Sequence, residues 1–398
     1  MTFYIRLKHS YNDDIVTTGN SATAYGSTGR LEGDTVRNGG YMKKYWTTEE
    51  IDKTEAQYRI LVSERSTGKS YAVKRKALEA VFDRPDEHRF WYLRCYPNEI
   101  KATGVMEYFN DAPVDQITNG EFSCVFAFGG QLFFANRNSR GKYEKGPQIG
   151  WYGDLYHYGQ YKSHAYTGCD NIIFEEFINN QPHDPQEPYW LQQFVSTVFR
   201  DNTGVVWMIG NTVNKINVYS EEWKLENFCN MKPGQIDIYD KHSTGPEGED
   251  IVTKIAVELC DSLGSKSKMF FGNAAKSIKG GEWDVYEQNK IPHADLMAYK
   301  MIYEVVIQGF GFKYLMQLYI GKDGQRFVYV KPHTTDRKVR RVISEAWSPD
   351  PMTTPSFRTD LKPEMMMRDC YYNNKIVFPT DRIGTDFNNL VTQKKWKL

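Results

Sequence analysis

From Tyr58 onward, short apolar runs alternate with stretches in which apolar residues recur at helical spacing. YRILVSE leads into RSTGKS and then YAVKRKALEAVF, where Ala72, Val73, Ala77, Ala80 and Val81 recur at roughly helical intervals. RFWYLRCY, CDNIIFEEF and GVVWMIGN are further runs of strand length, and EPYWLQQFVSTVFRD between the last two reads as an amphipathic helix. Strands alternating with helices build a mostly parallel sheet with right-handed crossovers. FSCVFAFGG and QLFFANR, joined across Gly129 and Gly130, read as a hairpin inserted at the sheet's edge. One α/β domain over about 58–217 is the expectation.

The flanks read differently. Residues 1–41, rich in Gly, Thr, Ser and Asn, form a loop-dominated lead-in. Past Trp223 the chain turns polar and Gly/Pro-punctuated, with one predicted helix, DIVTKIAVELCDSLG, so 226–295 reads as a linker with a small helical subdomain. From Ala298, apolar strands broken by Gly and a KDG turn precede a short strand, YYNNKIVFP, and a helix, TDFNNLVTQKKWK. The expected division is 1–225, 226–295 and 296–398.

With 398 residues, 40% hydrophobic and 25% charged, the chain suits two or three globular domains and is not a disordered polymer. It has no run of the ~20 apolar residues that cross a bilayer and no secretory-type start, so a cytoplasmic protein with no membrane partner is expected. Six cysteines are scattered without C-x-x-C pairs or histidines at metal-ligand spacing, and read as buried, reduced thiols. The zero net charge hides thirteen Lys/Arg against eight Asp/Glu from Lys331 to Leu398, a modest surplus that a polyanion could meet.

A phosphate loop needs inward backbone N–H groups, a helix N-terminus, a lysine for the β/γ-phosphates and a hydroxyl for Mg²⁺. Gly68, Lys69 and Ser70 supply the last part of that pattern, with Arg65, Thr67 and Tyr71 around them. Ser63 stands where the motif's first Gly belongs, and an isolated TGKS can equally be a polar turn capping a helix. Its setting between strand and helix favours the phosphate loop.

NIIFEEF sets two acids at the C-terminal end of a buried strand, the rim where open α/β sheets bind ligands. Glu175 suits the Mg²⁺ shell and Glu176 the attacking water. Asn211, ending GVVWMIGN, suits a γ-phosphate sensor or a plain turn. Arg200, ending the helix WLQQFVSTVFR, suits either a helix C-terminal cap or a charge-stabilising arginine. These residues imply ATP and Mg²⁺ as ligands.

In order and spacing, RSTGKSYAVK, FWYLRCY, YKSHAY, NIIFEEF, STVFRDN and GNTVNKINVY resemble the DNA-encapsidation ATPases of short-tailed double-stranded DNA phages. YYNNKIVFPTDRIG resembles the family's C-terminal strand and turn. The resemblance implies an additional-strand, catalytic-glutamate (ASCE) P-loop NTPase domain and a small RNase H-like, vestigial nuclease domain. It implies a homomeric ring, pentameric in this family, on the portal (connector) of a procapsid with double-stranded DNA in its pore. A packaging RNA is left open as a further partner, and the site of action is the host cytoplasm. Arg200 becomes a trans-acting finger, Glu176 the catalytic glutamate, Arg65 a nucleotide reporter and Lys162 a pore contact to DNA phosphates. Three positions depart from the family: Ser63, Glu175 for an Asp, and Pro97 for a basic residue, which leaves a nucleotide role for Arg94 open. Glu304 alone in the strand KMIYEVVIQGFGF argues against nuclease chemistry, which needs clustered carboxylates.

Two other readings compete. A P-loop kinase would need a lid, for which the predicted helix at 251–263 is the candidate. A non-hydrolysing nucleotide- or DNA-binding capsid-associated protein would explain Ser63.

Overall fold

The computed structural model describes residues 36–38, 41–43, 45–179, 181, 183–200, 203–261, 272, 283–335 and 339–393. Most of the predicted lead-in therefore lies outside the described residues. Its last part pairs Val36–Asn38 (β1) with Tyr41–Lys43 (β2).

Nine strands form the large sheet: Tyr58–Ser63 (β3), Arg89–Arg94 (β4), Cys124–Phe128 (β5), Gln131–Arg137 (β6), Tyr143–Asp154 (β7), Cys169–Glu175 (β8), Val205–Asn211 (β9), Gln235–Thr244 (β10) and Asp250–Leu259 (β11). Their spatial order is β10-β11-β3-β9-β8-β4-β7-β6-β5. The run from β11 to β7 is parallel, and an antiparallel strand or hairpin closes each edge. The hairpin across Gly129 and Gly130 is β5–β6, at one edge as the sequence implies.

Both faces of the central strands are covered, which is why they read as near-continuous apolar runs. Ile60 and Val62 of β3 join a core with Ile172, Phe174 and the helix Glu187–Phe199, while Leu61 between them joins Ile173 and Trp207 under the helix Lys69–Asp83. Successive side chains of a strand point to opposite faces, so one run feeds two cores.

The described part of the helix expected at 251–263 is a strand instead, and within the predicted linker of 226–295 both Gln235–Thr244 and Asp250–Leu259 join the large sheet. Asp250–Leu259 is strand β11, antiparallel to β10 and parallel to β3, with Ile255, Val257 and Leu259 in one core and Ala256 in the other. An IAVEL run suits a buried strand or a buried helix; the free edge of β3 decides.

Six strands make a second sheet: Lys300–Gly309 (β12), Phe312–Ile320 (β13), Arg326–Pro332 (β14), Val342–Ile343 (β15), Thr353–Thr354 (β16) and Ile376–Val377 (β17), ordered β16-β15-β12-β13-β14-β17. The predicted strand YYNNKIVFP contracts to Ile376–Val377, because Tyr371 and Tyr372 end the helix Lys362–Tyr372. Met367 of that helix, with Phe387 and Leu390 of the helix Asp381–Gln393, packs on Val305, Met316 and Val328 of the sheet. Segments flanking the two sheets link the two units. Ile216 lies in the second core, Phe310 N donates to Glu221 Oε1 (3.2 Å), and His183 N donates to Gln393 Oε1 (3.1 Å).

Candidate nucleotide site

β3 stops at Ser63 and the next helix starts at Lys69, so residues 64–68 make the turn between them. Gly68 has φ +96°, and a Cβ there would lie 3.2 Å from the Tyr45 side chain; both facts call for glycine. Ser66 also takes positive φ, at 66°. Ser63 does not, which is why the motif's first Gly is dispensable here. Buried at the strand end, its Oγ donates to the Glu64 carbonyl and lies 2.8 Å from Thr67 Oγ1, bracing the loop from behind. Ser63→Gly is expected to lower unfolding stability by about 1 kcal/mol, from the lost hydrogen bonds and added backbone freedom. Nucleotide affinity by titration should stay within a few-fold, and its loss would show that the hydroxyl acts on phosphate.

Strand order brings the remaining groups together. β3, β9 and β8 are neighbours, with Ser63 opposite Asn211 and Glu175 opposite Ile209, so their C-terminal ends share one rim. Lys69 is buried and donates from Nζ to the Glu64 carbonyl (3.2 Å) and to Asn211 Oδ1 (3.0 Å). Burial pulls its pKa down, against the upward pull of nearby acids including Glu175 and Glu176.

The two glutamates have different surroundings. Glu175 is buried and accepts from Tyr108 OH (2.7 Å) and the Ser70 hydroxyl. Desolvation pushes its carboxyl above the usual range, opposed by those two hydrogen bonds and by Lys69 and Arg94. Glu176 leaves the strand with φ +53° and is half-exposed; Arg94 Nη2, from the end of β4, donates to its Oε2 at 2.7 Å. Around these groups lies a cavity of about 410 Å³.

Arg65, Thr67, Gly68, Lys69, Ser70 and Tyr71 line that cavity from the loop side, and Glu175, Glu176 and Asn211 from the sheet. Ser63 sits behind it. Arg200 and Lys162 lie elsewhere and are exposed. Arg200 follows its helix with φ +48° and donates from Nη2 to the His164 carbonyl (2.6 Å). Lys162 Nζ lies 5.2 Å from the centre of the Tyr158 ring.

Sequence reading left Arg94 open and missed Tyr108, Lys74 and Asp111, which also line the cavity. Lys74 pairs with Asp111 and donates to the Tyr108 carbonyl at 2.5 Å. Tyr108 and Asp111 lie on or just past the helix Ala102–Phe109, where no motif marks them.

Tyr108→Phe should shift the acid limb of nucleotide binding measured in the presence of Mg²⁺. Glu175, being raised in the folded state, stabilises the fold fully below its ordinary pKa and loses that contribution as pH rises through its folded value. Removing a hydrogen bond that favours the carboxylate raises that value further. Half-maximal binding on a pH titration should therefore move upward in the variant, and an unmoved limb would assign the titration to another group.

A phosphate loop, with β9 inserted between its strand and the strand bearing the acids, defines the ASCE class of P-loop NTPase fold. The sequence profile of the podovirus DNA encapsidation protein (Gp16) family matches residues 42–247, just over half of the chain, and the chain belongs to that family. It is 31% identical over 164 residues to the DNA packaging protein of Bacillus phage B103, covering 40% of this chain and 46% of that one. With the DNA packaging protein of Bacillus phage phi29 it shares 28% identity over 236 residues, covering 58% and 61%. The chain thus matches about half to three-fifths of the length of these curated relatives. Its fold resembles a chain of the bacteriophage Phi-29 viral genome packaging motor assembly, with TM-score 0.51 and 19% identity over 88% of this chain and 99% of that one.

Proposed function

We propose that this chain is the ATPase subunit of a viral genome-packaging motor that couples ATP hydrolysis to movement of double-stranded DNA into a procapsid. The observation that carries this reading is one rim holding Lys69, Asn211, Glu175 and Glu176, with an exposed arginine, Arg200, outside its own cavity. Lys69 and the loop amides hold the β/γ-phosphates. The oxygen donors of Ser70 and Glu175, already bonded to each other, suit Mg²⁺, which when bound neutralises phosphate charge. Glu176 takes the proton of the attacking water, and Asn211, touching Lys69, senses the γ-phosphate.

Hydrolysis by the intact chain is completed in a ring, pentameric as in the family, where Arg200 reaches a neighbour's phosphates. Lys162 is two residues from Arg200's partner His164 and faces DNA as a sequence-independent phosphate contact. The portal, the procapsid and a packaging RNA are the assembly's other partners, and the host cytoplasm is where it works; no described helix is long and apolar enough to cross a membrane. The strand order of the C-terminal sheet, three antiparallel strands with β15 and β16 parallel beside β12, supports an RNase H-like fold. Glu304 is the one acid of β12, and a lone carboxylate there supports a docking rather than a cutting role. The lid that a kinase would need is strand β11, so that alternative loses its sequence argument. The test is ATPase activity with and without double-stranded DNA. Stimulated phosphate release supports the reading; nucleotide binding without turnover in assembled rings would sink it.

A further inference from the structure

Away from the nucleotide cavity, Cys95, His183 and Glu187 converge in the interior, at 0%, 1% and 0% exposure. Their donor atoms all lie within 4.8 Å of one another. Cys95 lies just past the end of β4; His183 and Glu187, four residues apart, flank the start of the helix Glu187–Phe199. His183 Nδ1 is 2.6 Å from Glu187 Oε2, and the Cys95 thiol is hydrogen-bonded to the same carboxylate. Glu187 also accepts from Asp184 N (2.9 Å), Tyr156 OH (3.3 Å) and Tyr219 OH (3.5 Å).

Every one of these partners except histidine is neutral, and a fully buried carboxylate calls for a counter-charge. His183 Nε2 is likewise buried and has no hydrogen-bond partner among the described residues.

We propose that Cys95, His183 and Glu187 form a structural zinc site. Thiolate, imidazole and carboxylate are the donor types zinc takes, and thiolate selects zinc over magnesium or calcium. One divalent cation with thiolate, carboxylate and neutral imidazole sums to zero charge in the interior. Bonds of about 2.0–2.3 Å hold tetrahedral donors roughly 3.3–3.6 Å apart, so the His183 and Glu187 donors, 2.6 Å apart without the ion, would separate to admit it. The fourth position falls to water or to a neighbouring tyrosine hydroxyl.

The placement gives the ion a purpose. It would pin the end of β4, one residue from the Arg94 that holds Glu176, to the helix whose far end carries Arg200. His183 N also bonds Gln393 of the last helix, so the same point ties in the C-terminal unit.

Zinc in full-length protein purified without chelators, measured by mass spectrometry, should be stoichiometric, and Cys95→Ala and His183→Gln should each lose most of it. Wild type refilled with Co²⁺ should show thiolate-to-cobalt charge-transfer absorption that Cys95→Ala lacks. Wild type carrying no zinc and showing no such absorption on refilling would overturn the site, whatever the folding of the variants. Folded Cys95→Ala that keeps both signals would overturn it too.

Discussion

Replacing Arg200 with alanine is expected to cut the DNA-stimulated ATPase rate of assembled rings by about 10³-fold or more, the scale set by arginine fingers in phosphoryl transfer. Nucleotide affinity of the isolated chain should stay near wild type, since Arg200 is exposed and outside its own cavity. The side chain is held on the surface by the His164 carbonyl, and its backbone takes φ +48° at the helix end, a conformation that costs free energy in a non-glycine residue. A surface arginine whose job was only to cap that helix would affect stability by roughly 1 kcal/mol and leave turnover alone. Mixed rings separate the two roles. Subunits carrying Arg200→Ala should hydrolyse ATP again beside neighbours with an intact arginine, and unchanged hydrolysis by all-variant rings would remove the finger assignment. Arg200→Lys should rescue poorly, because a point charge lacks the guanidinium's planar fork.

Glu176→Gln is the second large effect, expected to slow hydrolysis by about 10²–10⁴-fold, the usual contribution of a positioned base. The roles proposed for the two adjacent glutamates rest on their different environments. Glu175 is buried against Ser70 and Tyr108, while Glu176 is half-exposed and paired with Arg94. Glutamine preserves shape, so ATP should still bind and accumulate unhydrolysed on the protein, which single-turnover measurements would reveal. If Glu175→Gln and not Glu176→Gln left binding intact but stopped the chemical step, the roles would be reversed.

The placement of the candidate nucleotide site was largely legible where its geometry is local. TGKS between an apolar run and a helical pattern, and EEF after NII, carry their own placement, because strand burial and a tight turn are set by a few neighbouring residues. Ser63 ends β3 without the positive φ that would call for glycine. Arg200 was legible as a candidate from its place at a helix end, Lys162 through resemblance, and the chain places both on its surface.

What the sequence by itself determined is the set of local elements: the loop between β3 and its helix, the acid-tipped strand, the Gly129–Gly130 hairpin and the antiparallel strands β12–β14 of the C-terminal sheet. Tertiary structure alone decided the rest. Asp250–Leu259 became a strand because the edge of β3, far upstream, offered backbone partners that no local pattern reveals. Tyr108 reached Glu175, Arg94 reached Glu176, and Cys95 met His183 and Glu187 only once strand order was set. Periodicity encodes which face of an element is buried; it carries no address for the distant element that buries it.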